Sequence, residues 1–184
     1  MNIRESVGAV ERDDVSHRAR ILILLQACKD APIEGALDLV RLVYLDYFLR
    51  YPSSLEKLLT ARGKSVRRLK IEDFERDSLS ARFGALRVQP WDLNYRRWLA
   101  AEYAAGRIEA RLVDADVFSI TLTPKGVTAA ASLRLSELFE VDYTRATMIA
   151  RHLDLRTVTL AKVINQTLPE TTTLEPPVRT KASA

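Results

Sequence analysis

Between Arg107 and Leu122 the chain alternates apolar and polar residues on both sides of a short acidic turn. Ile108, Ala110 and Leu112 fall on one face before the turn, and Phe118, Ile120 and Leu122 fall on one face after it. Period-two alternation around Asp114-Ala115-Asp116 predicts a β-hairpin with one face on a core. The stretch from Pro90 to Ala105 is helical in character and stops at Gly106, a residue suited to the left-handed position that closes a helix. After the hairpin, Thr123 offers an N-cap and Pro124 the first helical position.

Helix, hairpin, helix in that order is the back half of a winged-helix domain, and the rest of the chain adds helices to it. A first helix is expected from about Val15 to Lys29, with acceptors from Asp13, Asp14 and Ser16 near its start. A second follows Pro32, from about Ile33 to Arg50, and ends before Tyr51-Pro52. Its one face carries Ile33, Leu37, Val40, Tyr44, Tyr47 and Phe48, while Leu42, Leu45 and Leu49 fall on the other. A helix apolar nearly all round requires burial on both sides. It is either the centre of the domain or half of an interface with another chain, with Leu42, Leu45 and Leu49 as the interface residues. Ser53-Ser54-Leu55-Glu56 reads as a capping box for a short helix ending at Gly63. Helices from Pro124 to about Phe139 and from about Tyr143 to Leu153 complete the ordered part, and the proline- and threonine-rich stretch from about 167 has little to bury. The expected fold is therefore mainly α with a small β-hairpin: a winged-helix domain with additional N- and C-terminal helices. It comprises an arm over 1–14, a globular domain over 15–155 and an extension over 156–184, disordered from about 167.

Composition narrows the chemistry more than it identifies it. With 184 residues and 47% hydrophobic content the chain is long enough for one real core. A single cysteine, Cys28, leaves neither an internal disulfide nor a multi-cysteine metal site. The first residues lack the apolar core of a signal peptide and the longest apolar run is Ile21 to Leu25, so a cytoplasmic chain with no membrane segment is expected. Gly63-Lys64-Ser65 suggests a phosphate loop, but that motif needs a glycine where Leu58 stands. His17 and His152 each lie on a predicted helix without a second ligand at metal spacing, which reads as structural. No catalytic residue, metal site or cofactor is assigned, and the chain is not expected to be an enzyme.

The net charge of +4 permits an anionic partner. Arg62, Lys64, Arg67, Arg68 and Lys70 follow one another without an intervening acid, and Glu72, Asp73, Glu75 and Asp77 follow them, so the two runs either neutralise each other or leave a phosphate-facing patch. On the helix before the hairpin, where a winged helix reads the major groove, Leu93, Tyr95, Trp98, Leu99 and Tyr103 are available to the core. Asn94, Arg96, Arg97 and Ala101 are then the candidates for base or phosphate contact. Asp114 and Asp116 at the wing tip oppose phosphate and favour a protein partner instead.

Three segments carry a family resemblance: Arg41-Leu42-Val43-Tyr44-Leu45-Asp46-Tyr47, the helix start Pro90-Trp91-Asp92-Leu93-Asn94-Tyr95-Arg96-Arg97, and the exit Leu122-Thr123-Pro124-Lys125-Gly126. Together they resemble the middle component of bacterial ABC-three-component systems, the Lamassu-type defence group, over roughly residues 21–138, with the charged segment 62–82 and the tail outside the resemblance. The resemblance implies a non-catalytic accessory subunit that joins an SMC-like ATPase to an effector subunit, often a nuclease, in defence against phage or plasmids. Non-specific double-stranded DNA is a further expected partner. The rival expectation is a stand-alone winged-helix transcription regulator that dimerises through the helix at 33–50 and reads DNA with the helix at 92–105.

Overall fold

The computed structural model describes residues 14–31, 33, 35–77, 93–114 and 117–168. Asp116, the N-terminal arm before Asp14, the start of the helix at 90–92 and the tail beyond 168 lie outside the described residues. Helix α1 (Asp14–Asp30) carries the longest apolar run through the middle of the molecule, with Ile21, Ile23 and Leu24 fully buried. It packs along the two later helices α6 (Pro124–Arg134) and α7 (Glu140–His152). The described residues are mainly helical, with one two-stranded antiparallel hairpin.

Helix α2 spans Leu39–Arg50, six residues shorter at its start than the expected 33–50. Asp38 supplies the N-cap, its Oδ1 accepting from the Arg41 amide at 2.8 Å. The residues before it are extended along the hairpin: the Ile120 amide donates to the Leu37 carbonyl at 3.0 Å, and the Leu37 amide to Ser119 Oγ at 3.1 Å. Leu42, Leu45 and Leu49 are all at most 2% exposed. They belong to the domain's own core, so the interface assigned to them is corrected: α2 is the centre of the domain, surrounded by α1, α7, the next helix and the last.

That next helix, α3 (Pro52–Ala61), begins at Pro52 rather than behind Ser53. The capping-box reading fails because proline already starts the helix; Ser54 is buried with its hydroxyl 3.0 Å from Tyr47 Oη, and Glu56 pairs instead with Arg76. At the far end Gly63 donates to the Thr60 carbonyl and Lys64 to that of Leu59, which closes the helix and turns the chain. A 3₁₀ turn at Arg67–Leu69 and the short helix α4 (Asp73–Asp77) follow.

Helix α5 (Leu93–Ala104) leads into strands β1 (Ile108–Asp114) and β2 (Val117–Leu122). Gly106, at φ 66°, allows the Arg107 amide to reach back to the Glu102 carbonyl. Thr123 then locks the far end of the hairpin. Its hydroxyl donates to the Gly106 carbonyl at 2.7 Å and accepts from the Gly126 amide at 3.1 Å, capping α6. Only glycine fits at 126, since a Cβ there would lie 1.9 Å from the Arg107 carbonyl oxygen. The pairing sets Ile108 opposite Leu122 and Ala110 opposite Ile120, but burial stops partway: Leu112 and Phe118, paired with each other, are 59% and 55% exposed.

Helix α6 ends at Arg134, short of the expected 139, and α7 begins at Glu140 rather than Tyr143, with a 3₁₀ turn at Glu137–Phe139 between them. Beyond residue 155 the chain forms a further helix, α8 (Thr157–Thr167). Leu160, Ile164 and Leu168 on one face of it join the core against α2 and α3, and Thr157 Oγ1 donates to the cap residue Asp38 at 2.6 Å. The packed body thus runs through Leu168.

Candidate nucleic-acid interface

The basic run after α3 is placed by a buried arginine on α7. Arg145 donates to the carbonyls of Leu69 and Lys70, 2.9 Å each, and through Nη1 and Nη2 to the two oxygens of Glu75, 2.7 Å each. Lys70 takes a left-handed conformation at φ 47° to allow the turn, and Leu69 is buried beneath it. Of the acids that follow in sequence, Glu75 is drawn away from the basic run by Arg145, and the short helix that carries it is tied to α3 by the Arg76–Glu56 pair.

The result is a groove of about 560 Å³ between this segment and α7. Ser65, Arg67 and Arg68 line one wall, and Thr144, Thr147, Arg151 and His152 the other. No carboxylate lines it among the described residues. Lys64 and Arg62 act on it electrostatically: burial, then the charges of Lys64, Arg151 and Arg62, hold the His152 imidazole below its ordinary value of 6.5. Arg62 Nε is buried without a hydrogen-bond partner among the described residues.

The candidates on α5 are not in this groove. Asn94 and Arg96 are exposed on the helix surface, and Arg97 is held by Asp14, with Nη2 at 2.8 and 2.9 Å from the two carboxylate oxygens. The same carboxylate accepts from Trp98 Nε1 at 2.8 Å, and these donors, Trp98 foremost, hold Asp14 below the ordinary carboxylate range. Trp98 also stacks on His17, ring centroids 3.9 Å apart, so His17 is a buried structural residue. Deeper along the same helix Glu102, 1% exposed, receives both Arg18 and Arg107. Burial pushes its carboxyl up, but the two guanidinium hydrogen bonds outweigh burial and leave it below the ordinary value. Tyr103, expected in the core, is 62% exposed.

The expected binding residues thus separate into two sets. Arg67 and Arg68 join Arg151, His152, Thr144 and Thr147, a group that could not be assembled from spacing because α7 is distant in the chain. Asp114 ends β1, and Val113 before it, at an irregularity in the register, is 59% exposed next to the Leu112–Phe118 pair. Cys28 is buried, and burial pushes its thiol up to about 12, so it is not a nucleophile at neutral pH. No described helix is long and apolar enough to cross a membrane. Among family models, curated proteins and solved structures, none matches this chain.

Proposed function

We propose that this chain is a non-catalytic, cytoplasmic accessory subunit that joins an SMC-like ATPase to an effector, and that lies along double-stranded DNA without reading its sequence. In this reading α5, β1, β2 and α6 are the helix, wing and closing helix of a winged-helix domain, and the ATP site and effector chemistry belong to other chains. The observation that carries it is the apolar end of the hairpin, where Leu112, Val113 and Phe118 are each more than half exposed. Clustered exposed apolar residues of this kind mark surfaces for protein partners. A wing built for the minor groove presents cations instead, whereas this one ends in Asp114.

The test is co-expression with the SMC-like ATPase and effector that this reading expects to be encoded beside it. The Leu112→Glu/Phe118→Glu variant is expected to fold normally and to lose co-purification with either subunit. Unchanged co-purification, or tight binding to a single upstream DNA site, ends this reading. The second outcome favours the stand-alone regulator, for which exposed Asn94 and Arg96 on α5 are the supporting observation. A regulator discriminates its operator by on the order of 10³-fold or more over random DNA.

A further inference from the structure

We infer that the groove between the Ser65–Arg68 segment and α7 binds the sugar-phosphate backbone of duplex DNA, and that this groove, not α5, is the chain's nucleic-acid surface. The inference rests on the accessory-subunit reading for its partner, but its residues and its test are separate from those of the hairpin.

Charge is the first argument. Arg67 and Arg68 face Arg151 across the groove, with Arg62 and Lys64 close enough to shift His152 beside it. Five fixed cations from two separate segments, with no carboxylate in the lining, repel one another in the free protein, and an anion relieves that repulsion.

Hydrogen-bond inventory is the second argument. Thr144 and Thr147 donate their hydroxyl protons to the helix carbonyls of Glu140 and Tyr143, at 3.1 and 2.8 Å. The donors offered to a ligand are therefore the guanidinium and ammonium groups, which suit phosphate oxygens, with Ser65 and His152 beside them. The lining contains no Phe, Tyr or Trp on which an unpaired base would stack. That composition favours a duplex backbone over single strands, whose binding sites pair cations with aromatic platforms.

Helix α5 lacks these properties. Arg97 is already engaged by Asp14, and the buried face of the helix is committed to α1 through Trp98 and Glu102.

Random-sequence duplex, titrated against the full chain by fluorescence anisotropy at 50 and 200 mM salt, tests this. Neutralising about five phosphates predicts an affinity loss of about 500-fold between the two salt concentrations. The Arg67→Ala/Arg68→Ala variant removes two contacts, so its loss should shrink to about 40-fold, with weaker binding at 50 mM. Arg151→Ala, on the other wall, should shift the salt dependence in the same direction, and Arg96→Ala should leave it unchanged. These side chains are exposed, and melting curves check that the variants stay folded. The inference is overturned if the full chain does not bind duplex, if groove variants bind like the parent, or if Arg96→Ala alone abolishes binding. It is also overturned if single strands bind more tightly than duplex, or if inorganic phosphate at matched ionic strength displaces the duplex, which would mark a small-anion pocket. Loss of DNA binding with intact ATPase co-purification would leave both proposals standing, whereas groove variants that bind normally would remove this one alone.

Discussion

Arg145 holds Glu75 through two parallel hydrogen bonds of 2.7 Å, with the arginine side chain only 7% exposed. This pair folds the basic run back onto α7, because the same guanidinium also takes the carbonyls of Leu69 and Lys70. Removing one partner of a buried pair leaves the other uncompensated, at a cost of about 3–5 kcal/mol. Arg145→Ala is therefore expected to lower the melting temperature and to expose the amides of 67–77 to hydrogen exchange. Groove-dependent DNA binding should fall with it, although Arg145 does not line the groove.

His152 makes DNA binding pH-dependent. In the free chain burial and the cations Lys64, Arg151 and Arg62 hold its pKa below 6.5. A bound phosphate supplies the opposite charge and raises that pKa, so binding takes up a proton. Affinity should rise as pH falls from 7.5 through 6.5 toward the lowered value, and His152→Gln should remove that rise. Titrations at constant ionic strength read the effect directly.

Glu102 contributes to acid stability. Its folded pKa is depressed below 4.5 by Arg107 and Arg18 despite burial, so its stabilisation is fully present above 4.5 and is lost as pH falls through the depressed value. Glu102→Gln should lower stability at neutral pH, by less than the loss of a fully buried pair, since the two guanidinium groups left around the neutral side chain reach water. In melts from pH 7 down to pH 3 the variant should show a flatter acid limb than the parent.

Gly126→Ala should destabilise although it lies in a helix. Helix propensity alone favours alanine by about 1 kcal/mol. Against this, the new methyl would meet the Arg107 carbonyl at 1.9 Å, in the turn that also receives the Thr123 amide. A lowered melting temperature is expected, and a rise would show that the hairpin can move away from α6.

Truncation after Leu155 should not yield a stable domain. Leu160, Ile164 and Leu168 are completely buried, and burying each such side chain contributes about 1.5–3 kcal/mol. Losing all three uncovers α2 and α3, so the shortened chain is expected to melt early or aggregate, as calorimetry and size-exclusion chromatography would report.

Local signals carried several elements without help. Alternation placed the hairpin, Gly106 and Gly63 closed their helices, and Thr123-Pro124 opened α6. Each of these rests on backbone geometry or on contacts between near neighbours in the chain, which residue type alone can specify. Where two local rules competed, the nearer covalent constraint won: Pro52 started α3 and overrode the Ser53 box.

Tertiary structure alone decided which side of an all-apolar helix was inside. The composition of α2 fits either a core or an interface, and burial of Leu42, Leu45 and Leu49 beneath α1, α7 and α8 follows from where distant helices land. The site has the same origin. Arg62 to Arg68 was visible as a charge run, yet whether the next acids would neutralise it depended on Arg145, far along the chain, taking Glu75 away. Arg151 and His152 then completed the groove from α7. Electrostatic pairing acts through space over a few ångströms, so sequence order could name the charges but not their neighbours.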